Sequence, residues 1–197
     1  MEKMRTNRRT IMKKSLMKIG KKVTTGMLLF SMILGLAACG KSTAKVDNTV
    51  SVDTIHEAIK EAYGENYLPQ MLMTEDEITA LYGIESDWYE EVLAEVPMIS
   101  AQVDTLIAVK ATDGHVEDVQ NALTSYKEYL ENDSFQYPMN VPKIQASTII
   151  TRGNYVFFIM LGTVDMEVMD QSEDAQIEAY SQMNQIAIDT IDGLLLK

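Results

Sequence analysis

The sequence predicts an α+β domain: an antiparallel sheet of about four strands with helices packed on it, in the order α-α-β-β-α-β-β-α. Three observations carry this. Apolar residues recur at helical spacing in four segments. Four other segments are β-branched, alternating or wholly apolar over strand length. The strand segments come in pairs and do not alternate one by one with helices, which is the α+β pattern.

Asp53 is a good N-cap, and Ile55, Ala58, Ile59, Ala62 and Tyr63 follow at i, i+3, i+4, i+7 and i+8, one face of a helix that Gly64 ends. Thr74-Glu-Asp-Glu77 is a capping box. In such a box the Thr hydroxyl and the Glu carboxylate satisfy free N–H groups, so a short helix runs to Tyr82 with Gly83 at its C-terminus. Val92, Ala94 and Val96 alternate with acids, a strand over about 89–96 that Pro97 closes or places at a sheet edge. Residues 101–110 alternate clearly and read as the next strand. Val116, Val119, Leu123, Tyr126 and Leu130 keep helical spacing over 115–131. Pro138 and Pro142 bracket a loop. A hairpin follows: Lys143–Thr151, the turn Arg152-Gly-Asn154, and Tyr155–Leu161, a central strand covered on both faces. The last helix spans about 173–195.

The first forty residues have a different character. Nine cations and one acid occupy residues 1–22, ahead of a fourteen-residue apolar run, Val23–Leu36. A secretory signal has this cationic start, an apolar segment of about 7–15 residues and small residues before its cut. The run is shorter than the roughly 20 residues of a membrane-spanning helix. Met12 or Met17 would start a signal of more ordinary length. Leu36-Ala-Ala-Cys39 then closes the segment with the one cysteine of the chain. It resembles the lipobox of bacterial lipoproteins. That resemblance implies cleavage between Ala38 and Cys39 and a diacylglyceryl group on the Cys39 sulfur. Two acyl chains, at about 0.8 kcal/mol per buried CH₂, give an anchor on the order of 20 kcal/mol. The expected organisation is a signal over 1–38, lipidated Cys39 and a flexible polar tether over 39–52, and one domain over 53–197. A dozen tether residues span about 20 Å on average.

Processing changes the charge. The whole chain has 17 Lys and Arg against 29 Asp and Glu. The signal removes nine cations and one acid, so eight face 28 and the mature charge is −20. Such a domain is repelled by nucleic acid and by anionic headgroups, and favours a basic partner or divalent cations. With no second cysteine it has no internal disulfide. A domain of this length buries nearly 70 % of its unfolded surface, so it folds without one.

Catalytic patterns are sparse. His56 and His115 stand alone in the first turns of their helices and are expected at the surface. Ser42-Thr-Ala-Lys45 has Ser-x-x-Lys spacing but lies three residues from the lipid-bearing cysteine, far from any buried helix start. Acid pairs such as Asp76/Glu77, Glu117/Asp118 and Glu173/Asp174 sit in helix first turns, where negative charge offsets the dipole. Adjacent acids do not span the cleft that a glycosidase needs. Asp165-Met-Glu-Val-Met-Asp170 is the nearest cation-binding candidate. Trp88 and Tyr89, beside acids, and Tyr129, Phe135 and Tyr137, around the 131–142 loop, are candidate partner-binding aromatics.

From residue 53 to about 162 the chain resembles a family of small lipoproteins of clostridial-type Gram-positive bacteria, the domain of unknown function 4358. The resemblance rests on Leu72-Met-Thr-Glu-Asp-Glu-Ile-Thr-Ala-Leu-Tyr-Gly-Ile84, Val96-Pro-Met-Ile-Ser-Ala101, Ile107-Ala-Val-Lys110 and Gly153-Asn-Tyr-Val156. It implies an extracytoplasmic, membrane-anchored location and carries no catalytic residue. The expectation is a non-enzymatic binding domain with no cofactor beyond the covalent lipid. It would meet a basic envelope protein or an extracellular partner, and no nucleic acid. The alternative is an envelope hydrolase, or an accessory of one, whose carboxylate site assembles only in the fold.

Overall fold

A computed structural model of the chain describes residues 45–197. The signal, Ala38, Cys39 and the first part of the expected tether lie outside the described residues. The elements are α1 (Val52–Tyr63), β1 (Met71–Leu72), α2 (Glu75–Tyr82), β2 (Tyr89–Val96), β3 (Thr105–Ala111) and α3 (Val116–Asn132). They continue with α4 (Val141–Ala146), β4 (Thr148–Arg152), β5 (Tyr155–Met160), α5 (Met166–Met169) and α6 (Glu173–Leu195). One sheet holds all five strands in the order β1-β2-β3-β5-β4, and every neighbouring pair is antiparallel. The class is α+β, as expected, with one strand more.

Both faces of the sheet are covered. Strand side chains alternate between faces. Leu106, Ala108, Tyr155, Phe157 and Ile159 therefore point to one side, where they pack with Ile55 and Ile59 of α1 and Ala187 and Ile191 of α6. Ile107, Val109, Val156, Phe158 and Met160 point to the other, against Ile78 of α2, Val119 and Leu123 of α3 and Ile144 of α4. All six residues of β5 are buried, which explains why its sequence shows no polar alternation. Each Phe so buried contributes about 1.5–3 kcal/mol.

Several boundaries differ from the sequence reading. Ser51, and not Asp53, caps α1, its hydroxyl accepting from the Thr54 N–H at 3.2 Å. β3 starts at Thr105, because residues 97–104 bond outside the sheet: the Gln102 N–H donates to Ile99 O at 3.0 Å, and Asn140 Nδ2 to Ala101 O at 3.0 Å. Residues 143–146 are helix and not strand. Pro142 sits in the first turn of α4, where its missing N–H costs nothing and its fixed φ suits the helix. Two-residue β1 is too short to show a period. Residues 45–51 belong to the domain and not to the tether. Val46 bridges Leu196, the Asp47 N–H donates to Leu195 O at 2.8 Å, and the Tyr155 hydroxyl donates to Val50 O at 2.5 Å.

The sheet thus has two ends. The hairpin end holds the β4–β5 turn, the starts of β2 and α3, and both ends of the described chain. There a Cβ on Gly153 would meet Val46 and Asn48 at 3.0 Å. The other end holds the β2–β3 loop, the loop between α3 and α4, and α5. α3, rising about 1.5 Å per residue, carries the chain roughly 25 Å from the first end to the second.

Candidate functional site

The far end of the sheet contains a pocket of about 220 Å³. Its wall comes from the residues before β3 (Ala101–Asp104), from Met139, Asn140 and Lys143, from Gly162–Val164 after β5, and from Leu68, Met169 and Tyr180. Asp104 enters as the loop turns into β3, and Lys143 from the buried first turn of α4. They are 2 % and 6 % exposed. Lys143 Nζ lies 2.5 Å from Asp104 Oδ1, a close buried ion pair. The ammonium also donates to Gly162 O at 2.7 Å and stands 5.5 Å from the Tyr180 ring centroid. Gly162 has φ +89°, and a Cβ there would press on Met183 Cβ at 2.8 Å, so the close approach that aims its carbonyl requires glycine.

Burial raises the Asp104 carboxyl and lowers the Lys143 ammonium from their ordinary values, and each partner's charge opposes that shift. An ion pair so buried is costly to desolvate, and apolar replacement of both partners is often neutral or stabilising. Both residues line the pocket. The volume falls below the roughly 300–1,000 Å³ of small-molecule sites. It has room for a single side chain of a partner. Around it the surface is apolar and acidic. Met98, Ile99, Phe135, Tyr137, Met139, Met166 and Met169 are exposed, Phe135 by 96 %. Asp165, Glu167, Asp170, Glu173 and Asp174 are exposed too, and none pairs with a Lys or Arg among the described residues.

A second polar group lies inside the domain. His56, expected at the surface, is only 5 % exposed, because it stands on the face of α1 that packs on the sheet. Its Nε2 is 2.7 Å from Glu95 Oε2, and the same oxygen accepts from the Tyr67 hydroxyl at 2.7 Å. Burial and then the Glu95 carboxylate push the Tyr67 hydroxyl well above its ordinary value, so it stays a donor. The three groups satisfy one another and pin α1 to β2. His115 is half-exposed, accepts or donates at 2.8 Å with Asp118, and stacks on Trp88 with centroids 6.1 Å apart.

The five candidate aromatics divide between the two ends. Trp88 and Tyr89 are half-buried at the hairpin end and pack against the α2–α3 core. Tyr129, Phe135 and Tyr137 are exposed at the pocket end. Asp165, Glu167 and Asp170 surround α5; among the described residues no group of three or more His, Cys, Asp or Glu is arranged to hold a metal ion. Asp104 and Lys143 were not singled out by sequence. Their one signal was a charge inside a run otherwise reading as strand.

Fold and pocket together define a sheet covered by helices on both faces, with a small polar-floored pocket at one end. The chain belongs to the family described as Domain of unknown function (DUF4358), whose model matches residues 62–161. The match begins inside α1, later than the expected 53, and ends just past β5; Asp104 and Lys143 lie within it, Met169 and Tyr180 beyond it. No curated protein and no solved structure matches the chain. No described helix is long and apolar enough to cross a membrane.

Proposed function

We propose that the chain is a lipoprotein held at the extracytoplasmic face of the cell membrane through a diacylglyceryl group on Cys39, and that its domain binds an envelope or extracellular protein without turning over a substrate. The observation that carries the reading is the polarity of the domain. The described chain enters at the hairpin end, beside Leu196 and Lys197, while the pocket and the exposed aromatics lie at the other end. Lys45 follows Cys39 by six residues, a span of at most about 20 Å. That is a shorter reach than a tether to residue 52 would allow. A lipid on Cys39 therefore holds the hairpin end near the bilayer and leaves the pocket end free to meet a partner. Among the described residues the pocket's one lining carboxylate, Asp104, is already paired with Lys143, whereas carboxylate-based glycoside hydrolysis takes two.

Two experiments test this. Cys39→Ala should leave uncleaved precursor that takes up no labelled fatty acid; normal processing and labelling of that variant refute the anchor. Photo-crosslinkers placed singly at Trp88, Tyr129, Phe135 and Met169 in cells should capture a protein; capture from none of them sinks the binding reading.

A further inference from the structure

Three candidates were strongest across the molecule. The His56–Glu95–Tyr67 group is satisfied internally and buried, so it explains packing. The shallow depression along Asp53, Glu57, Lys60 and Glu61 is open helix surface. The pocket end is different, because three independent features meet there.

The first is exposed apolar surface built mostly of methionine. Met139 and Met169 line the pocket mouth, and Met98, Ile99 and Met166 extend it. Methionine side chains are flexible and polarizable, and surfaces rich in them repack around varied apolar partners. The second is a one-sided charge. Val164 and Met169 line the pocket, and Asp165, Glu167 and Asp170 are within two residues of one or the other. From Gly153 to Leu196 the sequence has no Lys or Arg at all. Lys143 is engaged with Asp104, Lys127 with Glu131 at 3.2 Å and Lys60 with Glu57 at 3.5 Å. The third is the pocket's size, suited to one anchoring side chain.

We infer that the pocket end docks a cationic amphipathic segment of another protein: one apolar residue enters the pocket between Met139 and Met169, and flanking Lys or Arg residues pair with Asp165, Glu167 and Asp170. This rests on the binding role proposed above and names its site and partner chemistry. An acidic segment is repelled by the rim, and a purely apolar one gains nothing from it. A peptide that is basic but not amphipathic satisfies the rim and leaves the pocket empty. Opposed charges around an apolar anchor set encounter rate and register as well as affinity.

The test uses the full-length chain in neutral detergent and three synthetic peptides. One is a leucine–lysine amphipathic helix, the second has the same composition scrambled to abolish the apolar face, and the third replaces every Lys by Glu. The first should bind about tenfold or more tighter than the second, and the third not at all. Met139→Glu/Met169→Glu should weaken the first peptide by at least about tenfold, as loss of an anchor pocket does. Asp165→Asn/Glu167→Gln/Asp170→Asn should weaken it similarly and flatten its salt dependence. Glu117→Gln, exposed at the other end, should leave binding unchanged. All these residues are exposed, so the variants keep the fold, and unchanged thermal unfolding verifies it. Equal binding of the scrambled peptide overturns the inference, as does equal loss in Glu117→Gln. So does self-association of the chain through the methionine rim in sedimentation, which would make a second copy the occupant. Capture from Trp88 or Tyr129 in cells with no amphipathic preference at the pocket end leaves the binding role standing and removes only this site.

Discussion

The two ends of the sheet use the same residue types in opposite ways. At the hairpin end charges are spent on closure. Lys110 pairs with Glu90 at 3.0 Å and Glu91 at 3.3 Å, and Arg152 grips both oxygens of Asp192 at 2.6 and 3.0 Å. Lys197 pairs with Asp47, and Trp88 lies on His115. At the pocket end a lysine and an aspartate are buried together under an open mouth, while the surrounding acids and methionines face solvent. The hairpin end matches part of its charge and leaves Asp87, Asp113 and Glu117 exposed without a Lys or Arg partner among the described residues. The pocket end leaves exposed acids beside exposed apolar area.

The largest expected effect concerns the buried pair. Lys143→Met leaves Asp104 uncompensated and should lower stability by about 3–5 kcal/mol in urea unfolding, whereas Asp104→Leu/Lys143→Met should be near neutral or stabilising. If the single and double variants are equally unstable, the pair is structural and the contrast between the ends weakens. Next is Arg152→Ala at the hairpin end. Its ion pair is bidentate but partly exposed, so the loss should be about 1 kcal/mol. Smaller still, Phe135→Ser and Met166→Ser should change stability by no more than about 0.5 kcal/mol, because these side chains already face water. A large loss from either would mean that the rim is part of the core.

The smallest effect is a pH dependence. The Lys197 ammonium and the Thr49 hydroxyl and N–H hold the Asp47 carboxyl far below its ordinary value of 3.8. A depressed carboxyl stabilises the fold above its ordinary value, and that contribution is lost as pH falls through the folded value. Protection of the Lys45 and Asp47 amides, relative to their intrinsic exchange at each pH, should therefore fall only in strong acid. Loss of that protection already near pH 5 would show that the chain ends are not closed by this pair.

Helices α1, α2, α3 and α6 were legible in the sequence because apolar spacing and caps are local. β2 was legible from apolar residues alternating with acids, and β5 because burial on both faces writes an apolar run. Of the expected strand over 143–151, residues 148–151 form β4, but residues 143–146 misled, because the Pro142 helix start outweighed the β-branched run that follows. β1 and α5 were too short to carry a period. The aromatics at 129, 135 and 137 were visible as a cluster, but their separation from Trp88 was not, because a 17-residue helix lies between and only packing fixes its direction.

By itself the sequence determined the α+β class and the acidity of the domain, which depend on composition and on periods spanning a few residues. The family showed as a resemblance of short motifs such as Gly153-Asn-Tyr-Val156. Tertiary structure alone decided that His56 meets Glu95 across 39 positions and that Asp104 meets Lys143 across 39 more. It also decided that the pocket opens at the end opposite the chain's entry. Local patterns state which face of an element is apolar, and they do not state which other face will cover it. Buried charges find partners only where elements distant in sequence are brought together by the burial of that apolar surface.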